Sequence, residues 1–368
     1  TISKIVSSGE TIVDVSSLSK VADGRFRDAI INGIRKGYEA GHRPLIRLLW
    51  GKTPFLSVLQ GDYGAIDKFV ADIKRVAPGV PVVAALANFE EIGHEKSWNH
   101  SKIVAADGRL AMVGGMNLWS SDYMSAGSTV TDLSVKVKGD AAKGAQQFLN
   151  EIWRYVEEKG SSSRYPKLSL SLNPTYAVSA NITGKRYVKA IPEPAATIPE
   201  SDSVPMLSVG RAAWLRNGRT TRATNTTITK ELKDFATGWL WDLVSRGGVM
   251  NEGNPQWDAN NPGDTALRSL VRNAQKQITL SQQMLDFKFV EIGKPLFDLR
   301  LYEAIANRIA NGVTTKILTS NLNVEGDYAA SDPQDSWRAI AALVYRELQK
   351  TSSMIKASES EIENKALE

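Results

Sequence analysis

Between Asn99 and Asn117 the chain reads NHSKIVAADGRLAMVGGMN, and the types and spacing of its polar residues suit chemistry at phosphorus. His100 and Lys102 stand two positions apart on a segment read as extended, so the backbone projects both from one face. A neutral imidazole can attack phosphorus, and an ammonium beside it stabilises phosphoryl oxygens as they gain charge. Asp107 completes an H-x-K-x4-D pattern; next to Gly108 it could orient a side chain or pin an Asp-Gly turn. Gly114 and Gly115 could bring backbone close to a ligand, or mark a tight strand crossing. Asn117 can donate an amide hydrogen bond to a phosphate oxygen.

The elements that must position these residues are legible in the hydrophobic pattern. Residues 11–16 alternate and are β-branched, which predicts a strand. Helical spacing follows from Phe26 to Tyr38, then a buried strand over 44–50, a helix from Tyr63 to Val76 and a strand over 81–86. Strands alternating with helices predict an α/β sheet with helices packed on its faces. Residues 158–202 are rich in Ser, Pro and Asn and read as irregular connection with a strand or two. From Thr265 the pattern restarts: helix 265–275, strand 277–282, helix 299–311, strand 314–320, and a helix over about 335–350.

That second half echoes the first. Ala29-Ile30 aligns with Ala304-Ile305, and Pro44–Leu48 falls near Thr314–Leu318, a self-similarity at an offset of about 270–275 residues. The expected organisation is a first lobe with its connecting segment over 1–202 and the N-terminal part of a similar, incomplete second lobe over 203–368. At that offset a counterpart of His100 would fall just past Glu368. Thr1 in place of an initiator methionine leads to the expectation of an upstream segment, and Leu367-Glu368 to that of an artificial C-terminal boundary.

Bulk properties narrow the classes. Hydrophobic residues at 42% and charged residues at 23% fit a folded chain with real cores. No window approaches eighteen uncharged apolar residues, which argues against a spanning helix. With no cysteine, thiol catalysis, disulfides and cysteine metal sites are excluded, and passage through an oxidising compartment is easily borne. A net charge of +5 suits an anionic substrate but is common in ordinary proteins.

The segment 99–117 resembles the H-x-K-x4-D-x6-G-G-x-N signature of the phospholipase D superfamily. The likeness continues in TIVDVSSL, GGMNLWSSDYMS, TDLSVKVKGDAA and ITLSQQMLDF, which look like stretches of bacterial two-lobed members. The resemblance implies two similar lobes, each a mixed β-sheet flanked by helices, that meet at one site. One motif histidine then forms a phosphohistidine while the other protonates the leaving alcohol and later activates water. Carried over residue by residue, His100 would be the catalytic histidine, Lys102 and Asn117 phosphate ligands, Asp107 a supporting residue, and Gly114, Gly115 and Gln282 substrate contacts. No metal or organic cofactor is implied.

The departure is the missing second motif. Only His42, His94 and His100 are present; His42 (GHRP) is no second copy, and His94 (GHEK) has no matching aspartate or Gly-Gly-x-Asn. His42, before Pro44, reads as structural; His94 could line the mouth of the site or be a solvated loop residue. The expected partner is therefore a segment or second polypeptide carrying the other motif. The resemblance to secreted and toxin-effector members adds a phospholipid substrate at a membrane surface, an immunity or delivery protein, and a location outside the producing cell.

Three functions compete. A phospholipase D is favoured, with Leu118, Trp119, Tyr123 and Met124 as a possible apolar rim. A nuclease or phosphatidyltransferase of the same superfamily shares the chemistry, but positive charge is scattered among acids apart from Arg211, Arg216, Arg219 and Arg222. A binding module without catalysis has no use for the complete motif. Trp239 and Trp241 could dip into a membrane interface or pack between lobes. Asn99, Asn181 and Asn225 each open a glycosylation sequon, read as chance matches because a glycan on Asn99 would block the motif.

Overall fold

The computed structural model describes residues 1–18, 20–51, 62–87, 99–124, 130–160, 175–193, 206, 208–210, 262–282, 289–290, 294–295, 299–319 and 333–352. The chain divides into two compact units between Gly218 and Arg219. Ser208 donates to the Ala141 carbonyl at 3.2 Å, so the connecting segment packs with the first unit beyond residue 202.

The first unit opens with α1 (Ile2–Ser7) and β1 (Ile12–Ser17), followed by α2 (Gly24–Glu39), β2 (Leu45–Gly51), α3 (Asp62–Val76) and β3 (Val82–Ala87). Parallel strands need a crossover, and α2 and α3 supply it between β1, β2 and β3. Beyond β1 the sheet turns antiparallel through β4 (Ile103–Ala106), β5 (Leu110–Gly114), the short α4 (Ser120–Tyr123) and β6 (Ser134–Lys138). The long α5 (Asp140–Lys159) then leads to β7 (Tyr176–Ala180), which pairs antiparallel with β3. The seven-stranded order is β6-β5-β4-β1-β2-β3-β7.

Strand alternation builds two cores. Val13, Val15, Ile46, Leu48, Trp50, Val82, Ala84 and Leu86 meet the apolar sides of α1, α2 and α3. Leu49, Val83, Ala85 and Ala87 meet Leu149, Ile152, Trp153 and Val156 of α5. Each large side chain so buried contributes about 1.5–3 kcal/mol. On the α5 side Asp14 and Arg47 are register partners across β1 and β2. Both are buried, and Arg47 Nε and one terminal nitrogen donate to the two Asp14 oxygens at 2.7 Å each. Its other terminal nitrogen donates to Asn150 and the Tyr187 carbonyl, and Gln146 Nε2 donates to Asp14 at 2.7 Å. A buried ion pair tolerates desolvation only with such complete satisfaction. Here it fastens α5 to the sheet.

The second unit contains α6 (Pro262–Arg272), β8 (Gln277–Ser281), β9 (Phe289–Val290), β10 (Lys294–Pro295), α7 (Leu299–Ala310), β11 (Thr314–Leu318) and α8 (Pro333–Ser352). β8 and β11 pair in parallel, and Ile278, Leu280, Ile305, Leu343 and Val344 lie in its core. The order α6-β8-α7-β11-α8, set aside the short β9 and β10, repeats α1-β1-α2-β2-α3 of the first unit. Ile30 and Ile305, matched in the sequence echo, are both fully buried.

Candidate active site

One edge of the first sheet collects the motif. Strand directions place the C-terminal ends of β1 and β5 and the N-terminal ends of β4 and β6 at the same edge. Lys102 and His100 directly precede β4, Gly115 to Asn117 directly follow β5, and Asp132 lies just before β6. This is also the carboxyl edge of the parallel strands β1, β2 and β3, where open α/β sheets characteristically bind ligands.

His100 is exposed at this edge and Lys102 is half-buried. Lys102 Nζ donates to His100 Nδ1 at 3.1 Å and to the His100 carbonyl at 2.9 Å. An ammonium has no acceptor capacity, so Nδ1 supplies the lone pair and the ring carries its proton on Nε2. Although the residue reaches solvent, surrounding protein removes enough water from the ring to lower its pKa; together with the Lys102 charge, and against Asp132, this brings it to about 4. Desolvation likewise lowers Lys102 to about 8, again opposed by Asp132. At neutral pH the pair is thus a neutral imidazole beside a largely charged lysine, the protonation state nucleophilic attack requires.

Asp132 links this pair to Asn117. Tyr123 OH donates to Asp132 Oδ2 at 2.6 Å and accepts from the Asn117 backbone N–H at 3.0 Å. Burial, first, and the bond to Asp132 raise the Tyr123 pKa, so the phenol stays protonated and remains a donor. Asn117 is buried, and its Oδ1 has no hydrogen-bond partner among the described residues. A buried amide oxygen without a partner is costly, so this end of the side chain has hydrogen bonding in reserve. In the sequence Tyr123 was read only as part of an apolar rim, and Asp132 was not singled out. An aspartate just ahead of the alternating strand SVKVK was the available signal, but its place beside His100 depends on the β4-β5-β6 pairing.

The two glycines serve the fold in place of a ligand. A Cβ on Gly114 would collide with the Leu133 carbonyl and the backbone of Ser134, and one on Gly115 would collide with the Asp132 carboxylate. The expected close approach exists, but strand β6 and Asp132 occupy it.

Asp107 is also reassigned. It sits at the far end of β4 from His100, buried, with φ 53°, followed by Gly108 at φ 65°. Positive φ at both positions is what a primed hairpin turn demands, and Asp-Gly meets it at low cost. Its carboxylate accepts from the backbone N–H groups of Glu10 at 2.7 Å, Thr11 at 2.9 Å and Ile12 at 2.8 Å, and from Arg109 at 2.7 Å. Those bonds consume the carboxylate; it pins the turn to the start of β1.

Gln282, exposed, follows β8 in the second unit, where its backbone N–H donates to the Leu318 carbonyl at 3.0 Å. Leu118 and Trp119 turn into the core and cannot form an apolar rim; Tyr123 is half-buried, and Met124 is exposed. His42 Nδ1 lies 3.1 Å from the Ser7 carbonyl, a local structural contact. Asn99 is buried with its amide N–H groups engaged, so its sequon is unavailable for glycosylation in the folded chain. His94, Arg211 to Arg222, Asn225, Trp239 and Trp241 lie outside the described residues.

The arrangement sets a neutral imidazole beside a charged lysine at the open edge of a mixed α/β sheet, a pair suited to chemistry at phosphorus. No family model matches the chain. Over 319 residues, 84% of this chain and 52% of the relative, it is 27% identical to a phospholipase D of Streptomyces antibioticus. The chain therefore spans about half the length of that curated relative. Among solved structures it is similar to Nuc, a phospholipase D family member from Salmonella typhimurium, at 15% identity with a TM-score of 0.26 over 42% of this chain and 82% of that one. It is also similar to NucT from Helicobacter pylori, at 17% identity with a TM-score of 0.27 over 40% and 84%. The chain thus shares a sequence likeness with the Streptomyces enzyme over most of its own length.

Proposed function

We propose that this chain forms the His100-bearing part of a phospholipase D that hydrolyses the distal phosphodiester of glycerophospholipids to phosphatidic acid and the head-group alcohol. The observation that carries the reading is the His100–Lys102 pair, a neutral imidazole held against a cation at an open sheet edge. Likeness to a phospholipase D over 84% of the chain supports the choice of lipid over nucleic acid.

A substrate phosphate at this edge competes with the imidazole for Lys102 Nζ. The ammonium moves onto a non-bridging oxygen and the ring's lone pair is released. Nitrogen then bonds phosphorus as the bond to the head-group oxygen breaks. That oxygen leaves with a proton from a general acid, the histidine of a second H-x-K motif on a segment or polypeptide outside these residues. Water next gives a proton to the same histidine and attacks phosphorus. The nitrogen–phosphorus bond breaks, and phosphatidic acid departs. Asn117 holds a phosphoryl oxygen through its amide, and an alcohol in place of water would give phosphatidyl transfer. Asp132 keeps Lys102 charged against desolvation.

Secretion or delivery out of the producing cell, toxin action and an immunity or delivery partner belong to the same proposal, supported by the cysteine-free composition and the resemblance to secreted members. No helix among the described residues is long and apolar enough to cross a membrane.

The test is incubation of the chain, with any polypeptide that co-purifies, separately with phosphatidylcholine vesicles and with plasmid DNA. Release of choline and phosphatidic acid that disappears in His100→Ala supports the proposal. Cleavage of DNA without lipid hydrolysis would assign the nuclease function instead.

A further inference from the structure

The residues immediately before β4 carry His100 and Lys102, yet they lie outside the strand ladder. The pairing of β4 with β1 ends at Ile103 and Ser16. Upstream of it the backbone is tied to β5 by one bond, from the Gly114 N–H to the Lys102 carbonyl at 3.3 Å. An exposed imidazole on such a segment would wander unless something else fixed the chain.

A single buried side chain does so. Asn99 is 1% exposed. Its Nδ2 donates to Ser16 Oγ at 3.1 Å and to the Ser17 carbonyl at 3.0 Å, reaching the C-terminal end of β1. Its Oδ1 accepts from the Ser101 hydroxyl at 2.7 Å and the Ser101 N–H at 3.3 Å. Ser101 and Ser16 close the ring, their hydroxyls 2.6 Å apart. Ser17 Oγ then accepts from the Leu118 N–H at 3.3 Å, which ties in the turn carrying Asn117. The amide straddles His100, gripping the residue after it and the strand beside it. Ser16 and Ser17 are buried hydroxyls at the end of β1, and this clamp is where they are used.

We propose that Asn99 is a positioning residue that fixes the backbone around His100 and so sets the separation between the imidazole, Lys102 and Asp132. The catalytic consequence rests on the phospholipase D reading; the geometric one does not. Buried amides that satisfy four partners are rigid, and a shift of about 1 Å at a reacting group costs on the order of a hundredfold in rate. Among the described residues, Lys102, His100, Asp132 and Tyr123 are tied together at this edge, with the Asp122 charge also acting on Tyr123, and the spacing of the pair from Asp132 follows from where the clamp holds residues 99–102.

The experiment compares Asn99→Ala and Ser16→Ala with Asn181→Ala, which removes a bond to the Val80 carbonyl elsewhere in the same unit. The His100 ring proton is followed by NMR against pH, assigned with His100→Ala among only three histidines. Phosphatidylcholine turnover is measured alongside. Asn99→Ala is expected to lose about a hundredfold in kcat with KM changed less than about threefold. Its His100 titration should rise from about 4 toward the ordinary histidine range, since loosening the segment readmits water and separates the ring from Lys102. Ser16→Ala should move the same readouts in the same direction by less, and covers the case in which Asn99→Ala does not fold. Asn181→Ala should move neither.

A folded Asn99→Ala or Ser16→Ala whose His100 titration matches the parent would overturn the positioning role. The titration needs no substrate, so it tests the positioning role whether or not the parent hydrolyses lipid. Parent hydrolysis with an unmoved titration in the variants rejects the positioning role alone.

Discussion

The two ends of strand β4 carry the same motif and live in opposite conditions. At its N-terminal end His100 and Lys102 sit at an open edge, one exposed, both with pKa values pulled down by lost hydration. At its C-terminal end Asp107 is buried and saturated by three backbone N–H groups and Arg109. The first end has hydrogen bonding in reserve: the nearby Asn117 amide oxygen has no partner among the described residues. The second has none left to give. A motif can therefore contain a chemical half and an architectural half, and the hydrogen-bond inventory separates them where spacing cannot.

Substitutions can break that contrast, and the largest effect belongs to the reactive end. His100→Ala should abolish phosphodiester turnover, a loss on the order of 10⁴-fold or more, with little change in melting temperature because the side chain is exposed. Lys102→Ala should cost about 10²–10³-fold, the scale for one electrostatic donor. Steady-state rates together with a thermal melt check both. At the other end, Asp107→Ala should cost about 2–4 kcal/mol by orphaning buried N–H groups while leaving the His100 titration in place. A stable Asp107→Ala with no turnover would erase the distinction.

The α5 anchor offers a second architectural comparison. Arg47→Met leaves Asp14 buried without its counter-ion, and should cost about 3–5 kcal/mol in denaturant unfolding.

The pH dependence follows from the signs. A histidine whose folded pKa lies at about 4, below its ordinary value, is neutral and reactive down to that pH. Its contribution to stability is lost as pH falls from the unfolded value of about 6.5 toward 4, because the unfolded chain binds the proton first. On the alkaline side, activity should decline above about 8 as Lys102 loses its charge. A rate profile for the parent, and denaturation against pH for the parent and His100→Ala, test the two statements.

The smallest effect is expected at Gly115→Ala. The added methyl pushes the Asp132 carboxylate aside, and with less opposing charge both His100 and Lys102 should titrate lower than in the parent. NMR titration of the two groups reads this directly.

Much of this was open to a reading of the residues. The β1-α2-β2-α3-β3 run followed from alternation and helical spacing, because strand and helix periods report backbone geometry directly. The second unit's order followed from the same pattern repeated. The edge strand β7 lay in the Ser-, Pro- and Asn-rich stretch where a strand or two was expected. Helices α1 and α5 were not identified; α1 is a short turn-and-a-half ahead of the first strand. His100 and Lys102 were legible because a two-residue spacing on extended chain fixes a shared face. Asp107 was ambiguous, since an Asp-Gly pair serves a turn and a site equally well. Asp132, Tyr123 and Asn99 were hidden because their roles depend on pairings between β1, β4, β5 and β6, and nothing local announces those contacts. Leu118 and Trp119 misled for the converse reason: an apolar pair after the motif has the same composition whether it faces lipid or core.

The most direct test of the account is a rapid quench during turnover of phosphatidylcholine by the chain, with any polypeptide that co-purifies, followed by peptide mapping under conditions that preserve phosphoramidates. The account predicts a phosphatidyl adduct on the peptide containing His100, absent in His100→Ala. Sustained turnover with the adduct on another residue, or with none on His100, would contradict it.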